Sequence, residues 1–499
     1  MLFYEPLFLF LFAPAVYLLY WLFGAARCAR TAILLLASVF FYAWSEPIFV
    51  LVVFASVALD LLVARRIFEL AGNEGRHRER SEAIQSAGAA PGLLRRFAPR
   101  NDGAWLALGV VANLAILVYY KYAGFFAFNL DALARALTLP GINIPQIALP
   151  IGVSFVVFEK ITYLVDVYRG IAAPARSTPL YALYVFFFPK LLAGPIIKYH
   201  DIAGQMETCP HADLDDFVTG FSRFMLGVAK KLLLADALAS GADMIFAKDA
   251  ATLGFAEAWW GVIFFTLQIY FDFSGYSDMA IGLARIFGFR LLENFDSPYV
   301  ATSISEFWRR WHMSLTSWIK EYLYFPLGGN RLGDARTHVN LWVCFLASGI
   351  WHGAAWTYVV WGAYNGFFLV ADRLFLLRWL ARAPAWLANL ATLVVVMAGW
   401  TIFRAGSLMQ ALDLLALMAR PWAAARDPVA VPSYLVAVAA IAAAICLTQR
   451  VALSFECFDW AEAARRHALF ANSALAILFV AALAKGLADP FKPFIYFRF

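Results

Sequence analysis

Two tracts decide how this chain is read: SGIWHGAAWTYVVWGAYNG at 348–366 and SISEFWRRWHMSLTSWIKEYLYFPLGGNR at 303–331. Each places one histidine among tryptophans, His352 in IWHG and His312 in RRWH. The first tract continues an apolar run with the character of a membrane-embedded helix. An ionisable side chain at membrane depth is costly and marks a functional site by default.

The rest of the chain agrees with that setting. Of its 499 residues, 63% are hydrophobic and only 15% are charged, and the mean hydropathy is +0.70. Soluble domains are nearer half apolar, so an all-α, polytopic membrane protein is expected. Apolar runs of spanning length, about 17–25 residues, lie near 6–24, 46–63, 104–126, 147–168, 181–197, 252–271, 385–403, 429–448 and 470–487. Shorter or interrupted runs lie near 31–44, 222–239, 273–288, 339–353 and 355–371. Together they predict about eleven to fourteen transmembrane, broken and re-entrant helices in one membrane-embedded domain, 1–499. The first thirty residues carry Glu5 where a signal peptide would be positive, which predicts a retained first transmembrane helix. The net charge of +6 reports topology: the arginine-rich stretch 65–102 is expected to be a cytoplasmic loop. Nothing in the pattern supports nucleic-acid binding. The five cysteines are scattered without metal-like spacing and read as small packing residues.

Within 303–324, Ser303 and Glu306 fit a capping box, so a helix should start there. Arg310, Ser314, Ser317 and Glu321 then make a polar face, and Trp311, Leu315, Trp318 and Tyr322 an apolar one. Breaker residues at 325–330 end it. His312 fits both an interfacial histidine and a site residue. Its neighbours Arg309, Arg310 and Lys320 suit either lipid headgroups or the phosphates of a cofactor. His352 fits both a packed histidine and a general base near neutral pH; the spacing of Trp351, Trp356 and Trp361 and the adjacent Gly353 bring the second level with the first.

Three further tracts carry polar groups among apolar ones. In 268–282, Ser274, Gly275 and Ser277 read as a helix break, with Ser277 or Asp278 capping the next helix; Asp272, Ser274 and Asp278 are candidates for lining a polar cavity, with Asn365 from the second histidine tract. Residues 222–239, with Arg223, Lys230, Lys231 and Asp236, read as an interfacial amphipathic helix. Glu159 and Lys160 are adjacent and so must face different partners, while 188–195, with two prolines, should break its run. His211 and Asp216 fit H-x-x-x-x-D but sit in a hydrophilic stretch that discounts the match. No G-x-S-x-G, Walker A or Rossmann glycine pattern is present.

These residues resemble the membrane-bound O-acyltransferases, in particular the bacterial branch with the membrane subunit of alginate O-acetylation. The matching tracts, in order along nearly the whole chain, are LPIGVSF, YLVDVYRG, FPKLLAGPI, QIYFDFSGYSDMAIGLA, ENFDSPY, SEFWRRWHMSL, YLYFPLGGNR, WHGAAWTYVVWGAYNG and PFIYFRF. The resemblance implies His352 as the principal catalytic histidine and His312 as the second, more variable polar position. It implies an acyl donor, acetyl-CoA, entering a membrane funnel from the cytoplasm. The acetyl group would pass to a periplasmic SGNH hydrolase-like partner or another polysaccharide-modification subunit, with membrane lipids around the protein. On this reading Arg309, Arg310, Lys320, Arg331, Trp311 and Trp351 are candidates for donor binding, and the chemistry requires no metal. Transfer of another acyl group such as D-alanine is an alternative, as is a transporter, since broken helices with buried charges also mark substrate pathways; a scaffold for a periplasmic enzyme is a further one.

Overall fold

The computed structural model describes residues 1–85, 102–141, 147–192, 194–454, 468–488 and 492–495, with backbone alone for 72–85, 449–454 and 468–471. Among the described residues the chain is helical and contains no strand. It divides into two compact units, Met1–Leu192 with Ile196–His211 and Ala193–Pro195 with Ala212–Phe499. Three helical segments, Arg27–Ser45, Gly103–Ala136 and Ala385–Arg404, are long and apolar enough to cross a membrane, and Phe8–Phe23, Leu408–Met418, Ser433–Thr448 and Asn472–Ala488 are shorter apolar ones. Large apolar side chains such as Phe10, Leu36, Phe128, Trp386 and Ile477 lie exposed on these helices, as contact with lipid rather than water requires. Helices Val153–Arg169 and Phe255–Ile286 carry charged residues that are paired inside the fold.

In the first unit, Val153–Arg169 shows the divergence expected of Glu159 and Lys160. Buried Glu159 forms an ion pair with Lys190. Buried Lys160 reaches Asp60 at 3.2 Å and donates to Asn113 Oδ1 at 2.6 Å. Asp60 also accepts from Asn113 at 2.8 Å and from the Tyr181 hydroxyl at 2.8 Å. The expected break is present too: helix Thr178–Phe186 stops at Phe187, a short turn Phe188–Leu191 follows with Pro189 in its first turn, and the Phe188 N–H is taken up by Ser38 Oγ at 3.1 Å. The predicted loop at 65 is a correction: helix Phe49–Gln85 runs on through the arginines to Gln85, and 86–101 lie outside the described residues.

The second unit is built on the 32-residue helix Phe255–Ile286, against which Leu214–Ala229 and its continuation Lys230–Phe246 pack antiparallel. The break expected at Ser274–Ser277 does not occur, and the basic residues of 222–239, expected at a membrane surface, are paired inside the fold. A Cβ on Gly227 would lie 2.5 Å from the Gly275 carbonyl oxygen, and one on Gly220 would lie 2.6 Å from that of Gly282. The glycines let two backbones touch, as small residues do between membrane helices. The basic residues of the first helix therefore face the carboxylates of Phe255–Ile286: Lys230 meets Asp278 at 2.6 Å, Arg223 meets Asp278 at 2.9 Å, and Lys231 meets Asp272 at 2.7 Å as well as Asp236 of its own helix at 2.8 Å. Of the cysteines, Cys209, Cys344 and Cys446 are buried and Cys28 is exposed; Cys457 lies outside the described residues.

Candidate active site

The helix predicted to run unbroken from 303 is interrupted. Ser303 caps Ile304–Arg310, accepting from the Glu306 N–H at 3.1 Å. Glu306 answers the N–H of Thr302 at 2.8 Å rather than that of Ser303. A cap the sequence did not announce comes from buried Asp372, which accepts from the Ser305 N–H at 2.7 Å. The helix then stops at Trp311, His312 turns into the left-handed region at φ +46°, and Met313–Ile319 begins. The hydrogen bonds explain the stop. Met313 N–H donates to the Asn294 carbonyl at 3.0 Å, and Asp296 N–H donates to the Arg310 carbonyl at 2.9 Å. Segment 294–296 thus takes bonds that an unbroken helix would have made with itself. The apolar side drawn across the break is buried as expected at Trp311, Leu315 and Trp318, but the polar face does not hold: Ser314, assigned to it, is buried too.

His312, 1% exposed, holds Asn294 Oδ1 through Nδ1 at 3.1 Å, and its ring meets Phe273 edge-on with centroids 4.6 Å apart. His352, 4% exposed, is the last residue of helix Asp334–His352, and its Nδ1 lies 2.6 Å from the Ser348 carbonyl oxygen one turn back. A carbonyl only accepts, so Nδ1 carries the proton. In the neutral ring Nε2 then keeps its lone pair, which is what a general base needs. Gly353 ends the helix; a Cβ there would lie 2.1 Å from the Tyr358 ring. Trp351 lies against both histidines, its ring centroid 6.1 Å from His312 and 4.9 Å from His352. Trp361 at 5.0 Å and Phe403 at 5.6 Å complete the aromatic wall around His352.

The other predicted site residues separate into groups. Trp311 is buried in an aromatic cluster with Phe307, Phe295 and Trp400. Asn365 ties the wall together, accepting from Trp308 Nε1 at 3.2 Å and donating to the Trp361 carbonyl at 2.9 Å. Asp272 holds Lys231 and the Ile495 N–H at 2.7 Å, beside the Phe494 ring that stacks on Tyr276. Ser274 and Asp278 do line a cavity of about 500 Å³, together with Arg223, Lys230, Ser277 and Asn294. Arg309, Lys320 and Arg331 are exposed, while Arg310 is engaged with Glu306 at 3.0 Å and Asp296 at 2.9 Å. Asp216 of the H-x-x-x-x-D pattern pairs with Arg285 and Arg290. Asn294, Phe273, Phe403 and Asp372 were missed. Asn294 stands in a quoted tract, but nothing in its spacing relates it to His312.

Residues 175–409, which contain both histidines, match the membrane-bound O-acyltransferase family. The chain is 40% identical to the Probable alginate O-acetylase AlgI of Pseudomonas aeruginosa over 82% of this chain and 73% of that protein. It is 33% identical to the Peptidoglycan O-acetyltransferase of Helicobacter pylori over 83% and 79%. It is 25% identical to the Teichoic acid D-alanyltransferase of Bacillus subtilis over 45% and 59%. The chain belongs to the membrane-bound O-acyltransferase family: it is an integral membrane enzyme that transfers an acyl group from a donor to an oxygen.

Proposed function

We propose that the chain acts as one catalytic domain in the bacterial inner membrane, moving an acetyl group from acetyl-CoA on the cytoplasmic side for O-acetylation of an alginate-like exopolysaccharide, with a periplasmic hydrolase-like partner completing the transfer. The observation that carries this reading is His352, buried at a helix end with its Nδ1 proton committed to Ser348 and aromatic rings around it. The similarity to alginate O-acetylases over most of both chains supports the substrate class.

His352 Nε2 takes the proton of the acceptor hydroxyl as its oxygen attacks the thioester carbonyl. The tetrahedral intermediate collapses with cleavage of the C–S bond, and the imidazolium returns the proton to the leaving thiolate. His312 positions the donor or stabilises developing charge. Trp351 and Trp361 keep water from the thioester. Arg309, Lys320 and Arg331, exposed on the segments that flank His312, are the cations available to donor phosphates.

The test uses purified protein in liposomes with acetyl-labelled CoA. Wild type is expected to consume the thioester and label a hydroxyl acceptor, or release acetate. His352→Ala is expected to lose about 10²–10⁴ in rate. Equal rates in both would remove His352 from the chemistry; activity only with a D-alanyl carrier thioester would reassign the acyl group.

A further inference from the structure

We infer that Asn294 is a positioning residue that fixes the proton of His312 on Nδ1, so that His312 offers the site a lone pair rather than an N–H. The inference rests on the reading of His312 as part of the active site. It starts from hydrogen bonds whose direction leaves no choice. The Asn294 side-chain atom facing Ser314 accepts from the Ser314 backbone N–H at 3.3 Å and from its hydroxyl at 2.9 Å. A backbone N–H only donates, so that atom is the amide oxygen. The same oxygen lies 3.1 Å from His312 Nδ1, and two acceptors cannot share a hydrogen bond. Nδ1 therefore donates, and the neutral ring, which has one N–H, keeps its lone pair at Nε2.

Asn294 is well placed to hold this state. It is fully buried. Its carbonyl is bound by Met313 N–H at 3.0 Å, immediately after the histidine. The residues on either side are anchored by ion pairs, Glu293 to Arg223 and Asp296 to Arg310. Its oxygen also caps the helix that follows His312, through Ser314 N–H, where His312 itself supplies no side-chain cap. Phe273 packs edge-on against the ring at 87°. One residue, eighteen positions upstream, thus supports the left-handed backbone at His312 through its carbonyl and orients the imidazole through its side chain. A non-glycine residue held in that region costs about 1 kcal/mol or more and persists where the surroundings impose it.

The consequence is chemical. A neutral His312 with its proton on Nδ1 accepts a hydrogen bond from a substrate N–H or O–H at Nε2. It does not donate to the oxyanion. Of the two roles given to His312 above, positioning is the one its tautomer allows. The amide N–H groups of a pantetheine-type thioester are the donors of matching chemistry.

The experiment is nitrogen NMR of protein labelled with ¹⁵N-histidine in liposomes, with His312→Gln assigning the resonance among the seven histidines. Wild type should show a protonated Nδ1 and a lone-pair Nε2 at His312. Asn294→Leu should shift the ring toward the other tautomer and lower kcat roughly 10- to 100-fold. Asn294→Asp keeps an acceptor oxygen and should restore the Nδ1–H signal and most of kcat, which a purely structural role for the amide would not produce. If Asn294→Leu does not fold, the wild-type spectrum alone decides. A protonated Nε2 in the wild type overturns the inference, as does Asn294→Leu with tautomer and kcat unchanged. Full acetyl transfer by His312→Gln beside a protonated Nδ1 in the wild type would remove His312 from the reaction while leaving its tautomer as described, which separates the two failures.

Discussion

Along Val153–Arg169 the buried polar groups are opposite charges in contact: Glu159 with Lys190 on one side, Lys160 with Asp60 on the other. Around His312 and His352 the buried polar groups are imidazoles inside a wall of tryptophan and phenylalanine, each gripped by Nδ1 through a neutral oxygen. The first arrangement answers charge with charge, because an uncompensated charge in a low-dielectric interior is expensive. It gives the helix two fixed neighbours and suits architecture. The second fixes the proton of each ring on Nδ1, which sets the chemistry that Nε2 can perform. Burial alone does not distinguish structure from site in a membrane protein; what the buried group is bonded to does.

The largest test of this contrast is the His352→Ala variant described above, where about 10²–10⁴ in rate should vanish while detergent unfolding still shows a cooperative transition. Lys160→Met should behave in the opposite way. Stranding Asp60 is expected to cost about 3–5 kcal/mol in stability, read as a lower denaturant midpoint, and adding Asp60→Asn should recover most of it. If Lys160→Met abolished turnover at full stability, the ion pairs would belong to the site and the contrast would fail. Gly282→Leu, which would push the antiparallel helices apart, should cost about 1–3 kcal/mol by the same unfolding assay. The control is Gly204→Ala, whose added carbon meets nothing within 4 Å. The smallest effect is expected from Ser303→Ala, about 1 kcal/mol, with Ser303→Asp restoring the cap. That variant asks how far the helix leading into His312 depends on its own cap when Asp372 supplies a second.

How much was legible follows from where each partner lies. The cap at Ser303, the separate facing of Glu159 and Lys160 and the break near Pro189 were readable, since each follows from residues within one turn. The helical character and the family tracts were readable for the same reason. The misreadings share one cause. Arg223, Lys230 and Lys231 read as an interfacial face because the carboxylates they meet across the helix pair, Asp278 and Asp272, stand on a separate helix far along the chain. Ser274–Gly275 read as a break because small residues loosen an isolated helix, whereas here Gly275 lies against Gly227. The arginines after 65 read as a loop because charge density was taken for the end of a helix that continues to Gln85.

By itself the sequence determined that this is an all-helical membrane protein with two histidines in aromatic tracts, because hydropathy and the company a residue keeps are local properties. Only the tertiary structure decided that the helix stops at Trp311, that Asn294 holds His312, and that Trp351 packs against both histidines. The physical reason is competition for the same backbone hydrogen bonds. Residues 304–319 have a helix available to them throughout, and it is interrupted because segment 294–296 takes up Met313 N–H, Ser314 N–H and the Arg310 carbonyl.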